Sequence, residues 1–320
     1  MLARLQECWF LSGPTASGKS AVANDLARRI GGEILSLDSM AVYRGLDIGT
    51  AKPPAAERQA VPHHLLDLVE PTEDFSVAQY IDAAERAVLE VLDRGRRPLF
   101  VGGSPLYLKA LLRGLFDGPP ADWDFRGELA EIARREGSAA LHAQLAAVDL
   151  AAANRLHPND TRRLIRALEV YHHTGQPISS MQTQFTAAGE SGRRQVFVLD
   201  WPREQLHRRI NDRVDAMFAA GWLDEARQFV DSGRALSRTA SQAVGYRELL
   251  EHLAGERGFA ETAELIKTRT RQFAKRQLTW LRSLTECRWI AVEQRIDPAA
   301  VAERIVVAAA SGLQPARGGG

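Results

Sequence analysis

The sequence predicts an α/β fold, in which a parallel sheet core is flanked by helices and interrupted by a helical insertion. Apolar runs typical of buried strands alternate with segments of helical spacing, a pattern that favours a doubly wound parallel sheet. The first strand-to-helix turn matches the phosphate-binding pattern G-x-x-x-x-G-K-[ST] with the residues Gly13, Pro14, Thr15, Ala16, Ser17, Gly18, Lys19 and Ser20. The predicted core is therefore P-loop NTPase-like.

This phosphate loop has the surroundings that the pattern requires. The apolar run Cys8–Leu11 before it is typical of a strand, and Ala21–Ile30 after it is typical of a helix. The two glycines let backbone N–H groups converge on a phosphate at the positive end of the helix dipole. Lys19 supplies a positive charge, and the hydroxyl of Ser20 can hold Mg²⁺. The alternative is a glycine-rich turn with an incidental lysine.

Asp38 follows the second predicted strand, Glu33–Leu37. Ligands of open α/β sheets bind beyond the carboxyl ends of the strands, so we expect Asp38 to lie near the phosphate loop. There its carboxylate could orient a metal-bound water, accept a proton from a nucleophile, or only cap the next segment. The non-periodic stretch Met40–Pro53 is expected to be a loop along the same site.

A helix and a third strand complete the first half of the sheet. Helical spacing predicts a helix over Ser76–Arg94, with Ser76 as N-cap and Gly95 just past its end. Pro98–Val101 is the third predicted strand, and it is followed by Gly102, Gly103 and Ser104. The adjacent His63 and His64 point in different directions and have no evident carboxylate partner, so we expect structural or surface histidines, not metal ligands.

The domain boundaries follow from a change in the residue pattern near Gly118-Pro119-Pro120, where the alternation of strands and helices stops. Beyond it the chain is mainly helical until Gln195–Asp200, where an apolar run resumes the sheet. We therefore expect an α/β core over 1–116 and 195–312 with basic C-terminal helices. The helical insertion would span 117–194, and the glycine-rich tail 313–320 should be disordered.

Basic residues cluster at three places. The insertion carries Arg162, Arg163 and Arg166 on the first turns of a helix after Asp160, which is ordinary for a solvated surface but also suits phosphate. On the predicted helix Arg203–Ala219, Arg209 and Arg213 share a face and could reach back to the phosphate loop. The segment Leu265–Trp289 is expected to be a basic amphipathic helix, with a stripe formed by Lys267, Arg271, Lys275 and Arg282. Such a stripe either faces solvent or binds a nucleic-acid backbone.

Composition excludes some classes of protein. The 41 Lys and Arg residues nearly balance the 40 Asp and Glu residues, so net charge does not indicate a partner. Cys8 and Cys287 have no metal or redox spacing, which fits a reducing cytoplasm. We see no signal-peptide pattern and no apolar run long enough to cross a bilayer, so the expected location is cytoplasmic, with no membrane partner.

Taken together, these segments resemble the bacterial type of tRNA dimethylallyltransferase, also called tRNA isopentenyltransferase. The matching segments run in family order and are Gly13–Ser20, Asp38–Met40, Tyr43–Pro53, Gly102–Ser104, His157–Asp160, Arg163, Arg166–Val170, Val244–Arg247 and Lys275–Arg282. The departures are Ala41, where the family commonly has glutamine, and Ser20 and Ser104, where threonine is common. Serine keeps the hydroxyl, whereas alanine at 41 removes an amide that could contact a base.

The resemblance implies transfer of a dimethylallyl group from its diphosphate to N6 of adenosine 37, beside the tRNA anticodon, with Mg²⁺ and without ATP hydrolysis. It also implies that the insertion grips the anticodon stem-loop. We expect a monomer. Asp38, Lys19, Ser20 and Arg213 would be catalytic, with residues 13–20 on the diphosphate and Ser20 on the metal.

The tRNA contacts that we expect, mostly by family position, are Asp38, Ser39, Met40, Ala41, Ser104, Arg126, Arg162, Arg163, Leu164, Ile165, Arg166, Gln242, Ala243, Val244, Gly245, Tyr246, Arg247, Lys275, Arg276, Gln277, Leu278, Thr279, Trp280, Leu281 and Arg282. Without the resemblance, the phosphate loop would favour a small-molecule kinase that uses Asp38 as the base on an acceptor hydroxyl. A third alternative is a switch or RNA-binding module with no chemistry of its own.

Overall fold

The structure is a computed structural model, and it describes residues 4–116, 118–182, 194–293 and 296–311. It divides into two compact units, one formed by 1–112 with 190–320 and the other by 113–189. The predicted tail 313–320 lies outside the described residues. Among the described helices, none is both long and apolar enough to span a membrane.

The first unit contains a parallel sheet. Its strands are β1 (Trp9–Ser12), β2 (Gly32–Ser36), β3 (His63–His64), β4 (Arg97–Gly102), β5 (Gln195–Asp200) and β6 (Arg288–Ala291). In the described residues they form one six-stranded sheet in the order β3-β2-β4-β1-β5-β6, and every pairing is parallel. The predicted α/β fold with a parallel sheet is confirmed. The two edge strands, β3 and β6, were not predicted.

The described helices are, in chain order, α1 (Lys19–Ile30), α2 (Ala55–Ala60), α3 (Val77–Asp93), α4 (Pro105–Arg113), α5 (Trp123–Glu136), α6 (Ser138–Val148), α7 (Leu150–Arg155), α8 (Thr161–Thr174), α9 (Ile178–Met181), α10 (Arg203–Ala219), α11 (Trp222–Asp231), α12 (Tyr246–Leu253), α13 (Phe259–Arg282) and α14 (Pro298–Ser311). The helix α3 begins as predicted at its N-cap Ser76, which forms a capping box with Gln79. The helix α13 ends at Arg282, so the predicted basic helix to Trp289 was wrong at its end, because Trp289 lies in β6.

Helices cover both faces of the sheet. Alternate residues of β1 enter different hydrophobic clusters, with Phe10 in one and Trp9 and Leu11 in the other. The first cluster also contains side chains of α3, α11 and α12, and the second contains side chains of α1 and α14. The carboxyl ends of β1, β2 and β4 therefore open at one edge of a sheet that is buried on both sides.

The second unit is helical, with α5 to α9 around its own hydrophobic core. Leu141, Leu145 and Leu164 are fully buried there. The helix α8 begins where the sequence predicts, because Asp160 is its N-cap and accepts a hydrogen bond from the backbone N–H of Arg163. The role of this unit in gripping RNA stays a prediction.

The adjacent histidines lie in a strand, and one of them has a carboxylate partner. His63 and His64 form β3, and Nε2 of His64 lies 2.7 Å from a carboxylate oxygen of Glu33, so the expectation that neither histidine has such a partner was wrong. Nδ1 of His63 lies 2.7 Å from the carbonyl oxygen of Val61. Within the described ranges there is no group of three or more His, Cys, Asp or Glu side chains that could hold a metal ion.

Candidate active site

The phosphate loop leads from the end of β1 into α1. Gly18, immediately before the helix, has a φ of +84°, which lies in the left-handed region that glycine adopts without strain. Ala16 also has a positive φ, of +61°, a conformation that is energetically unfavourable for alanine. The loop thus holds a specific backbone shape, with its N–H groups at the start of α1 available to an anion.

Lys19 lies at the centre of this loop. Its ammonium donates to the carbonyl oxygen of Pro14 at 2.7 Å and lies 3.5 Å from the hydroxyl of Ser17. Burial and the nearby charge of Arg213 lower the pKa of Lys19 to about 7, and Asp38 opposes the shift. A bound anion would favour the charged form of this lysine.

Three side chains from distant parts of the sequence brace the loop backbone. The amide oxygen of Gln277 accepts from the N–H of Thr15 at 2.9 Å. Arg209 donates to the carbonyl of Ala16 at 2.8 Å. The indole N–H of Trp201 donates to the carbonyl of Ser17 at 2.9 Å. The guanidinium of Arg209 also stacks on the ring of Trp201, 4.4 Å from its centroid. The prediction that Arg209 or Arg213 reaches back to the phosphate loop is confirmed for Arg209.

Asp38 faces the same cavity from the end of β2. One of its oxygens accepts a hydrogen bond from the backbone N–H of Met40 at 2.9 Å. The backbone N–H of Ser39, which lies between these two residues, donates to the hydroxyl of Ser104 at 2.9 Å. These two bonds fix the turn that carries the carboxylate, so its position is set by backbone and not by a flexible side chain alone.

Opposite charges converge on this cavity. Burial lowers the pKa of Arg213, and the carboxylate of Asp38 opposes the shift. Lys19, Arg213 and Asp38 therefore feel one another's charges in a poorly solvated space. With Lys19 in its ammonium form, the two basic groups outweigh the one carboxylate, which suits a ligand that carries several negative charges.

The cavity has a volume of about 590 Å³, which is large enough for a ligand of drug size. Its lining comes from segments far apart in the sequence, and includes Thr15, Lys19, Ser20, Asp38, Ser39, Met40, Ala41, Gly49, Thr50, Arg209, Arg213, Met217, Trp222, Gln242, Ala243, Val244 and Phe273. The predicted phosphate loop, the predicted carboxylate and part of the predicted tRNA contacts are thus brought together.

Ser20 is the residue that sequence reasoning assigned to Mg²⁺. It is exposed and lines the cavity one residue after Lys19. A hydroxyl oxygen is a suitable ligand for this hard cation, which usually takes only one or two protein ligands and fills its other positions with water and substrate phosphates. The residues present therefore fit a magnesium ion that arrives with a phosphorylated ligand.

Several expected RNA contacts are corrected by their burial. Leu164 lies in the core of the helical unit, with Ile165 packed against it, and Tyr246 and Leu281 lie in the main core. Leu278 packs against the second cluster of the main unit. Gln277 is buried and binds backbone at both ends of its amide. The buried side chains among these stabilise the fold and are not exposed to a polynucleotide, whereas Ile165 and Leu278 are half-buried and stay predicted contacts.

Other predicted contacts remain accessible. Arg162, Arg163, Arg247, Lys275, Arg276, Thr279 and Arg282 are exposed. Arg126 and Arg166 are a quarter to a third exposed, and both pair with the fully buried carboxylate of Glu169. Burial alone would raise the pKa of Glu169, but the hydrogen bonds from these two arginines keep it below its usual value. Two guanidinium groups are thereby held at fixed positions on the helical unit.

Trp201 was missed by sequence reasoning. It directly follows β5, which pairs with β1, so its place at the carboxyl end of a strand next to the phosphate loop was the available signal. The bracing role of Gln277 has no comparable signal, because the two residues before it, Lys275 and Arg276, are basic and exposed.

Residues 41–284 match a protein-family model described as IPP transferase. The chain is 50% identical over 281 residues to tRNA dimethylallyltransferase 1 of Trichlorobacter lovleyi, which covers 88% of this chain and 92% of that protein. It is 47% identical over 287 residues to tRNA dimethylallyltransferase of Geobacter metallireducens, with 90% and 93% covered.

Solved structures are also similar. The full-length tRNA isopentenylpyrophosphate transferase from Bacillus halodurans matches with a TM-score of 0.70 and 38% identity, over 95% of this chain and 96% of that one. A eukaryotic dimethylallyltransferase described as acting on tRNA matches with a TM-score of 0.70 and 28% identity, over 89% of this chain and 73% of that one.

Proposed function

The chain belongs to the IPP transferase family, and from its similarity to the tRNA dimethylallyltransferases within it we propose that it moves a dimethylallyl group from dimethylallyl diphosphate to N6 of adenosine 37, next to the tRNA anticodon. The products are N6-(dimethylallyl)adenosine and diphosphate. The observation that carries the proposal is that the cations Lys19 and Arg213 share one cavity with the carboxylate of Asp38.

The phosphate loop is suited to the leaving group of this reaction. As the allylic C–O bond breaks, negative charge builds on the departing diphosphate and positive charge spreads over the allyl group. Lys19, Arg213 and the N–H groups at the start of α1 are already in place to bind that negative charge. They therefore stabilise the transition state more than the bound donor.

Ser20 is the residue that would hold Mg²⁺ beside the diphosphate. When bound, the ion would neutralise part of the charge on the leaving group. The hydroxyl at position 20 would be the protein's own ligand to it, and the remaining ligands would come from the diphosphate and water.

Asp38 is suited to the acceptor. The exocyclic nitrogen of adenine is a weak nucleophile, because its lone pair is delocalised into the ring. A carboxylate that binds the amino group can hold it in line and take its proton as the new C–N bond forms. One oxygen of Asp38 is occupied by the N–H of Met40, which leaves the other for the amino group.

The adenine must leave its stack to enter the cavity. Unstacking a base costs a few kcal/mol, and less in a single-stranded loop. The cavity wall formed by Ser39, Met40 and Gln242–Val244 would contact the extruded base. The helical unit, with its fixed Arg126 and Arg166, would grip the anticodon stem-loop through phosphate groups. We expect a monomer that acts in the cytoplasm.

The relatives reported above favour this transfer over the kinase considered from the sequence. Incubating the protein with an anticodon stem-loop RNA and labelled dimethylallyl diphosphate tests the proposal. Label should enter the RNA, and it should not enter a control RNA that has inosine at position 37, since inosine lacks the N6 amine. Transfer of the γ-phosphate of ATP to an acceptor, with no label in the RNA, would contradict the proposal.

A further inference from the structure

Glu225 on α11 binds three successive backbone N–H groups of the loop that follows Asp38. One carboxylate oxygen accepts from the N–H groups of Asp47 and Ile48, both at 2.8 Å, and the other accepts from that of Gly49 at 3.2 Å. Successive N–H groups that converge in this way form a small anion-binding nest. Here the protein fills the nest with its own carboxylate.

The same carboxylate has a fourth partner from another part of the chain. The hydroxyl of Tyr246, at the start of α12, donates to the oxygen that also binds Gly49. Burial and the charge of Glu225 raise the pKa of this phenol, so it remains a donor across the accessible pH range. Tyr246 is buried, which keeps this hydrogen bond away from solvent.

The loop and Tyr246, which both bind Glu225, are continuous in sequence with walls of the cavity. Residues 49–53 line it on one side, directly after the three bound N–H groups, and Gln242–Val244 line it just before Tyr246. Trp222, three residues before Glu225 on α11, packs against the same two segments. A Cβ added at Gly49 would lie 2.2 Å from its indole nitrogen, and one added at Gly245 would lie 2.1 Å from its ring.

The loop needs such an anchor because Met40–Pro53 contains no helix or strand. Within it, Ala51 has a positive φ of +52°, a conformation that alanine adopts only when its surroundings impose it. Lys52 anchors the far side of the loop through Asp47 and Asp67, both at 2.6 Å. Beside the packing of Trp222, Glu225 supplies the hydrogen bonds that tie the loop to α11 and, through Tyr246, to the second wall.

We propose that Glu225 is a positioning residue that holds two segments, residues 47–53 and 242–246, in register with the phosphate loop and Asp38, so that the walls of the active-site cavity which these segments carry, residues 49–53 and 242–244, keep their places. The consequence for catalysis rests on the proposed function, whereas the holding of the loop does not. Glu225 touches neither Lys19 nor Asp38 in the contacts described, so it would act through the loop and not on the reacting atoms.

The variant Glu225→Gln separates this role from a general effect on stability. Glutamine keeps the shape, but its NH₂ group would face N–H donors and cannot accept from them, so at least one hydrogen bond is lost. The matched control is Asp224→Asn, which makes the same change of charge at the preceding residue of α11. The side chain of Asp224 is exposed and pairs with Arg227.

Hydrogen exchange of the peptide that contains residues 46–53 gives the readout that does not depend on activity. In Glu225→Gln we expect the N–H groups of residues 47–49 to exchange about 10-fold faster or more, since they lose hydrogen bonds to a charged group. In Asp224→Asn they should exchange at the rate of the unmodified protein. An unchanged rate in Glu225→Gln would overturn the proposal.

Kinetics then test the positioning. Single-turnover transfer should slow by about 10- to 100-fold in Glu225→Gln, as expected for displaced reactants, while the affinity for inorganic diphosphate stays within about threefold because the phosphate loop is untouched. Faster exchange with a normal transfer rate would also overturn the proposal. If the unmodified protein transfers no dimethylallyl group, the proposed function fails, and the exchange rates still decide whether Glu225 holds the loop.

Tyr246→Phe provides a second variant in case Glu225→Gln folds poorly. It removes only the hydroxyl, and the ring stays packed against Trp222. We expect a smaller loss of transfer rate, about 3- to 10-fold for one hydrogen bond to a charged group, with exchange accelerated at residues 242–246. Normal exchange and normal transfer in this variant would contradict the link between the two walls.

Discussion

The side-chain amide of Gln277 binds the backbone N–H of Thr15, and thereby joins α13 to the phosphate loop. Its oxygen accepts from Thr15 at 2.9 Å, and its nitrogen donates to the carbonyl of Gly103, just beyond β4, at 2.6 Å. One amide thus links the loop after β1 to the loop after β4. The glutamine is only 4% exposed, and its bond to Gly103 is buried, so that carbonyl depends on the amide for its hydrogen bond.

Gln277→Leu should therefore destabilise the protein. The leucine fills the space but leaves the buried C=O of Gly103 and the partly buried N–H of Thr15 without these partners, and we expect the free energy of unfolding to fall by about 1–3 kcal/mol. Urea denaturation measures the loss. The control Gln272→Leu, at an exposed position of the same helix, should change the stability by less than about 0.5 kcal/mol. Equal stability of the two variants would show that the amide contributes little.

Binding of the donor should draw a proton onto Lys19. The pKa of this lysine is lowered to about 7, so at pH 8 the neutral amine predominates in the free protein. A diphosphate favours the ammonium and raises its pKa, and binding at pH 8 should therefore take up most of one proton per ligand. The dependence of the binding enthalpy on the ionisation enthalpy of the buffer measures this uptake.

Lys19→Arg is the comparison for this prediction, because arginine is charged in both states and should show no uptake. Uptake that is unchanged in Lys19→Arg would place the titrating group elsewhere.

The lowered pKa also affects folding. Between pH 7 and 10.5 the unfolded chain carries the proton on this lysine and the folded protein does not. The contribution of this group to the free energy of unfolding should therefore increase as the pH is raised from 7 to 10.5, and it should be constant below pH 7.

Local patterns predicted most of the sheet and the loop that it carries. The strand β5 and the helix α10 have the predicted bounds, Gln195–Asp200 and Arg203–Ala219, because a continuous apolar run and a helical periodicity can each be read from a few neighbouring residues. The position of Asp38 beside Lys19 followed from a general rule about parallel strands. Such features need no knowledge of distant contacts.

The features that escaped prediction depend on contacts between distant segments. The strand β3 has only two residues, too few for a pattern. The strand β6 follows a basic helix whose apolar spacing continues to Leu284, with no Gly or Pro to mark its end at Arg282. The inward orientation of Gln277 and the three backbone N–H groups that bind Glu225 involve residues more than 170 positions away, which no local pattern contains.

The basic face of α13 divides into paired and available charges, and this changes which residues should bind RNA. Lys267 pairs with Asp215 at 2.9 Å and with Glu264 at 3.0 Å, and Arg271 donates to Asn211. Lys275 and Arg276 are exposed, and among the described residues neither forms an ion pair with a carboxylate. The stripe predicted from the sequence is therefore not uniform.

Replacing Lys275 and Arg276 together with alanine should weaken RNA binding and flatten its dependence on salt. Each lost phosphate contact lowers the slope of log K against log salt concentration by about 0.7 to 0.9, so the double variant should lose about 1.4 to 1.8. Titrations of an anticodon stem-loop at several salt concentrations measure the slope. Lys267→Ala is the control and should keep it, and a slope that is unchanged in the double variant would mean that this face only meets solvent.

Asp38→Asn tests the proton acceptor with the smallest change of shape. The amide oxygen of asparagine can still accept from the N–H of Met40, as the carboxylate does at 2.9 Å, so the turn at the end of β2 should keep its geometry. The amide cannot take a proton from N6 of the adenine. Single-turnover transfer should therefore slow by about 10²- to 10⁴-fold, while the affinity for the RNA stays within a few-fold.

Removing the carboxylate also removes the charge that supports protonation of Lys19, so the pKa of that lysine should fall further in the variant. Donor affinity measured at pH 6, where the ammonium is more populated, separates this secondary effect from the loss of the base. A transfer rate near that of the unmodified enzyme at saturating donor would exclude Asp38 from the acceptor role, and the proton would then have to leave through water or another group in the cavity.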